Sequence, residues 1–155
     1  MGAHAFPKKY QDNPNEYVDI ICNEMIPKVS DQGIAIFNDV FCEKGYFSID
    51  QTRKIIECGN SFGLKPRLHV DEFDDIGGIE LAIEVGAVSV DHLMASSSRS
   101  IDLLSKSNVI ATLLPGTSFF LNLDDYAPAR EIIDKGVLVA LATDYNPGSS
   151  HMKNM

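Results

Sequence analysis

Short apolar runs alternate with helical patterns along this chain, and that alternation limits the possible folds more than any other feature. Gly33-Ile34-Ala35-Ile36-Phe37, Leu68-His69-Val70, Ala87 to Leu93, Val109 to Leu114 and Val137 to Thr143 read as buried strands. Gly2-Ala3-His4-Ala5-Phe6 reads as the end of another, stopped by Pro7. Helical spacing fills the gaps. Val18, Ile21, Cys22, Met25 and Ile26 share one face of a helix over Asn15 to Val29, which Pro27 should end or bend. Ser48 and Gln51 form a capping box for a helix that stops at Gly63. Further helices run from Ile76 to Val85, from Arg99 to about Lys106 behind a Ser96-Ser97-Ser98 cap, and from Ala127 to Lys135. Phe119 to Asp125 reads as a long loop.

Six strands in βα order imply a parallel sheet with right-handed crossovers. Apolar strands imply cover on both faces. Two architectures fit: an open doubly wound sheet, or part of a (β/α)8 TIM-type barrel. A nucleotide-binding sheet would show a glycine-rich phosphate turn after a strand. Gly77-Gly78 lies in the first turn of a helix without that spacing, so the barrel is the better reading.

Composition removes several function classes. Thirteen basic against 22 acidic side chains give a net charge of -9, which argues against a nucleic-acid partner. No apolar run is long enough to span a bilayer, and Met1-Gly2-Ala3-His4 has no leader pattern. Cys22, Cys42 and Cys58 lie in apolar contexts with no CxxC pairing, as expected for reduced thiols in a cytoplasmic protein.

Chemically competent residues recur at strand ends: His4, Glu43, His69 with Glu72, His92, and Asp144 with Asn146. Each has a plain explanation alone. His4 fits a loop, Glu43 a solvated charge, His92 a core histidine, and Asp144 an Asx turn before Asn146-Pro147-Gly148. Their repetition at one position of successive strands favours a shared site at the mouth of a barrel. Two histidines and an aspartate on separate strands suit Zn²⁺ or a similar ion. Such an ion activates water near neutral pH and polarises a carbonyl.

Ala142-Thr143-Asp144-Tyr145-Asn146-Pro147-Gly148-Ser149 carries a resemblance, together with Leu68 to Phe73, Val90-Asp91-His92-Leu93 and Leu113 to Thr117. These segments closely resemble the imidazolonepropionase family of the amidohydrolase superfamily, and Gly2 to Pro7 and Asp39 to Glu43 fit the same family. The resemblance implies a metal-dependent opening of the ring amide of 4-imidazolone-5-propanoate to N-formimidoyl-L-glutamate, a step of histidine degradation. It implies one zinc or iron ion, with His69 and Asp144 as ligands. It implies that Glu72 and His4 hold the imidazolone, that Glu72 moves protons, and that His92 is a second acid/base or oxyanion-stabilising group. Asn146, Gly148 and Ser149 become substrate contacts. A cytoplasmic homodimer is implied for the full-length enzyme, with a small-molecule substrate, no nucleic acid and no membrane.

The chain departs from the family pattern in one large respect. The family's metal site also uses a His-x-His pair, and none occurs among His4, His69, His92 and His151. Residues 1–155 are therefore expected to be an incomplete barrel domain, about strands three to eight. The first barrel strands and the small β-sandwich are expected to be absent, and the chain alone inactive. Another cyclic amidohydrolase or deaminase of the superfamily, or a non-catalytic fragment, are the alternatives.

Overall fold

The computed structural model of the chain describes residues 2–154. Five strands are found among them: β1 (Phe37–Cys42), β2 (Lys65–Val70), β3 (Ser89–His92), β4 (Ile110–Leu113) and β5 (Val139–Leu141). Every neighbouring pair is parallel, and the order in space is the order in the chain. That order decides between the two architectures. A doubly wound sheet reverses its strand order at a switch point, whereas a barrel adds each strand beside the last. The fold is a sector of a TIM-type barrel, open between β1 and β5.

The helices are α1 (Pro14–Ile20), α2 (Ile26–Asp31), α3 (Ile49–Ser61), α4 (Gly78–Glu84), α5 (Ser98–Leu104), α6 (Pro115–Phe120) and α7 (Ala129–Asp134). Ser48 and Gln51 make both bonds of the capping box on α3. Ser97 caps α5 by accepting the Ser100 amide. Pro27 does not end its helix. A π-helical turn, Ile21–Met25, precedes α2, and the Ile26 amide reaches back to the Ile21 carbonyl. The wider turn carries the backbone across a proline that has no amide hydrogen to donate.

Four expectations need correction. Gly2 to Ala5 forms turns and bends and Phe6 is irregular, so the strands number five and not six. Only the Ala3 carbonyl joins the sheet edge, accepting from the Phe41 amide at 2.9 Å, and a 3-10 turn, Lys8–Tyr10, follows Pro7 directly. The second strand lies at Phe37–Cys42, after the Ile34–Ile36 run, and Ile34 is 80% exposed. That run lies at the unpaired edge, where nothing among the described residues covers it. Phe119 and Phe120 belong to α6, because Pro115 stands at the first helical position, where its missing amide hydrogen costs nothing.

The fourth correction concerns the faces of the sheet. Val40, Leu68, Val70, Val90 and Ala111 are fully buried with Ile55, Ile56, Ile79, Ala82, Ile101, Leu104 and Ile132 of the helices. The alternate residues are polar: Asp39, Arg67, His69, Ser89, Asp91 and Thr112. One face of each strand thus builds the core with the helices, and the other lines the barrel interior with hydrogen-bonding groups. Gly78 allows α4 to approach β2, because a β-carbon there would lie 2.7 Å from Val70 Cγ1. Gly77 before it has φ 92°, a backbone region open mainly to glycine.

Candidate active site

The site lies at the C-terminal ends of the strands. His69 is the penultimate residue of β2, His92 the last of β3, and Asp144 follows β5 by three residues. One ligand atom from each lies within 4.8 Å of the other two. The His69 and His92 rings are 5.1 Å apart, and the His4 ring meets the edge of His69 at 4.6 Å. Glu72 reaches the same centre, with Oε2 3.6 Å from His92 Nε2. Five residues from four separate segments therefore surround one point.

Backbone strain marks the strand ends. Asp71, His92, Leu93 and Asp144 have φ of 53°, 83°, 60° and 51°. Non-glycine residues adopt this region at a cost, and such positions cluster where a side chain must be aimed. His92 shows the effect. Strict alternation would send it to the helix side with its register partner Val70. The left-handed turn returns the imidazole to the mouth beside His69.

Burial sets the electrostatics. Burial pushes the Glu72 carboxyl up to about 7, with the charge of Asp144 adding to it. Burial also lowers His92 to about 3, and the neighbouring charge of His69 lowers it further. His92 is thus a neutral imidazole at physiological pH, and its Nδ1 has no partner among the described residues. For His69 burial works in the other direction from its surroundings, but the hydrogen bond and charge of Asp39 prevail and raise it above the usual histidine range. His4 is lowered by burial and by His69.

Several supporting groups escaped sequence reasoning. Asp39 Oδ1 lies 3.0 Å from His69 Nδ1. Thr117, fully buried, donates its hydroxyl to Asp144 Oδ2 at 2.8 Å. The signal for Asp39 is the alternation Phe37-Asn38-Asp39-Val40-Phe41, which places it on the face of His69 once the strand is set correctly. Glu43 is no solvated charge. It is 1% exposed and accepts the amides of Lys44, Glu72 and Phe73 at 2.8, 3.0 and 3.1 Å. It therefore fixes the loop that carries Glu72 and stands outside the cluster.

The segment after Asp144 is tied to itself. Asn146 Oδ1 accepts the amides of Gly148 and Ser149, both at 2.8 Å. Its Nδ2 donates to the Asp144 carbonyl and to Ser149 Oγ. Ser149 Oγ lies 3.5 Å from Asp144 Oδ2. Asn146 thus shapes the loop, while Ser149 faces the site and Gly148 is exposed. A cavity of about 130 Å³ opens beside His92, walled by Met94, Leu114, Pro115, Ser118 and Tyr126.

The donor set suits a metal ion. Two imidazoles and a carboxylate converge. His92 stands beside His69 and Asp144 as a neutral imidazole. His69 has its second nitrogen held by a carboxylate, the usual arrangement behind a metal-binding imidazole.

No family model matches the chain. The chain is 50% identical over all 155 residues to a curated imidazolonepropionase of Alkaliphilus oremlandii (strain OhILAs), covering 37% of that protein. It is 56% identical over 150 residues to the imidazolonepropionase of Geobacillus sp. (strain WCH70), which is 97% of this chain and 35% of the relative. The chain therefore spans little more than a third of the length of these relatives. Among solved structures, an adenosine deaminase from Xanthomonas campestris with bound zinc matches 83% of this chain and 32% of its own, with a TM-score of 0.59 at 13% identity. Ochratoxinase from A. niger matches 82% and 34%, with a TM-score of 0.60 at 19% identity. At such identities the shared property is the fold, the barrel sector described above.

Proposed function

We propose that this chain is a five-strand part of an imidazolonepropionase barrel, and that it carries half of that enzyme's metal site and most of its proton-transfer machinery. The observation that carries the reading is the convergence of His69, His92, Asp144 and Glu72 on one point, in a chain 44–56% identical to imidazolonepropionases. In this reading His69 and Asp144 hold a single zinc or iron ion, which supplies Lewis acidity for water and the ring carbonyl.

The rest of the chemistry belongs to side chains of this chain. Water oxygen adds to the ring carbonyl carbon of 4-imidazolone-5-propanoate, and the bond from that carbon to the ring nitrogen breaks. The nitrogen needs a proton and the water must lose one. Glu72, poised near neutrality by burial, takes the first proton and returns it to the nitrogen. His92 is held neutral at 3.6 Å from Glu72 and offers a hydrogen bond to the developing oxyanion. His4, packed against His69, positions the ring. Ser149 and the backbone at Gly148 contact the propanoate end, on a loop whose form Asn146 sets. The product is N-formimidoyl-L-glutamate, and the role lies in histidine degradation.

The same reading extends to a cytoplasmic homodimer for the complete enzyme. No helix among the described residues is long and apolar enough to cross a membrane. The test is to follow loss of imidazolone absorbance with the intact protein, beside a panel of other cyclic amides and aminopurines. Ring opening of the imidazolone with kcat/KM at least tenfold above every competitor is expected. Preferred turnover of an aminopurine would replace this function with a deaminase.

A further inference from the structure

We infer that Asp39 is a positioning residue for His69, holding its imidazole by the Nδ1 hydrogen so that the Nε2 lone pair is left for the metal. The inference rests on the metal-site reading given above. Its geometric basis is the contact of 3.0 Å between Asp39 Oδ1 and His69 Nδ1. The sheet register explains how they meet. Phe41 lies opposite His69 and Asp39 opposite Arg67, so Asp39 is the diagonal neighbour of His69 on the same face. Diagonal neighbours lie within reach of long side chains.

A second carboxylate competes for that nitrogen. Asp91 lies directly opposite His69 on β3, with Oδ2 3.8 Å from His69 Nδ1. It is already engaged, because Arg67 donates to the same oxygen at 3.1 Å and Ser89 lies at 3.5 Å from Oδ1. Arg67 thus occupies Asp91 and leaves Asp39 as the acceptor for His69. An ionised carboxylate can only accept, so the hydrogen resides on Nδ1. A neutral imidazole with hydrogen on Nδ1 has its lone pair on Nε2. Without the acceptor both tautomers and both ring orientations become available, and only a fraction of the population presents the right nitrogen.

A rival role is visible in the same place. His4, Asp39 and His69 also offer three ligand atoms within 4.8 Å of one another, so Asp39 could itself bind an ion. Zinc titration and metal analysis of the intact protein separate the two roles, using Asp39→Ala and Asp39→Asn beside wild type and His69→Ala. A positioning residue leaves the saturated stoichiometry unchanged and weakens zinc binding about 10–100-fold in Asp39→Ala. Asp39→Asn, whose amide oxygen can still accept the hydrogen, should recover part of the loss. Nitrogen-15 NMR of the metal-free protein, at a pH where His69 is neutral, should show hydrogen on Nδ1 in wild type and a tautomer mixture in Asp39→Ala. Stoichiometry falling in Asp39→Ala as it does in His69→Ala makes Asp39 a ligand and overturns the inference. Unchanged affinity, or an unchanged tautomer, overturns it as well. A protein that meets these expectations yet fails to open imidazolone leaves the role of Asp39 standing and removes only the proposed substrate.

Discussion

Glu72 and Asp144 differ in what they touch, and that difference separates their expected roles. Asp144 Oδ2 is held by Thr117 at 2.8 Å, leaving Oδ1 with no hydrogen-bond donor among the described residues. Glu72 instead faces His92, and its backbone amide is pinned by Glu43. Asp144→Asn and His69→Ala are expected to lower the metal content of the intact enzyme measured by elemental analysis. Glu72→Gln should keep the metal and lower kcat by about 10²–10⁴-fold, the usual contribution of a proton-transfer group. Full metal occupancy in both ligand variants would sink the assignment. Full activity in Glu72→Gln would remove Glu72 from the proton path. The residues of this site were legible in the sequence because each stands at the end of an apolar run. Asp39 and Thr117 were not. Asp39 lies inside a strand whose start was misplaced by the exposed Ile34–Ile36 run, and Thr117 lies in α6, whose last residues Phe119 and Phe120 were read as the start of a loop.

At the scale of elements, the parts specified by local chemistry were readable. The capping box at Ser48 and the cap at Ser97 appear as the residue types demand. The βα order gave the parallel sheet, because no other arrangement connects such runs through helices of this length. What escaped was set by neighbours more distant in sequence. A π-helical turn absorbs Pro27, and Gly2 to Phe6 makes one edge contact without forming a ladder. Gly78 tests how far α4 depends on β2. A β-carbon there would sit 2.7 and 2.8 Å from Val70 Cγ1 and Cβ, both short-armed atoms that cannot swing away. Gly78→Ala is therefore expected to destabilise the fold by about 1–3 kcal/mol, the usual cost of overpacking. The gain of about 1 kcal/mol that alanine brings in an unobstructed helix should not appear. Thermal unfolding gives the sign. A raised Tm would mean that α4 has slack against the sheet. Gly78→Ala with Val70→Ala should recover only a small part of the clash term, because alanine keeps the Cβ at 2.8 Å.

On the whole molecule, the decisive feature is the pair of open sheet edges. At β1 the first residue Phe37 and the preceding Ile34 and Ile36 are exposed, and at β5 Leu138 and Leu141 are 67% and 60% exposed. Among the described residues β1 pairs only with β2 and β5 only with β4, so both edges also carry unpaired backbone groups. A closed barrel has no such edges, and exposed apolar edge strands invite pairing with another chain. The ligand set has a matching gap, since two residues of this chain, His69 and Asp144, are assigned to the ion, with His92 beside them. Residues 1–155 expressed alone are therefore expected to bind zinc weakly, to open no imidazolone, and to self-associate through β1 and β5. Sedimentation velocity across about 1–100 µM should show species larger than a monomer. Ile36→Lys with Leu138→Lys should shift them toward monomer, because a lysine on each edge makes strand addition bury a charge. The two positions are exposed, so the double variant should keep the helical circular dichroism of the parent. A parent chain that stays monomeric over this range, or a lysine variant that associates as strongly, would show that the edges are not the contact and that the apolar rims tolerate water.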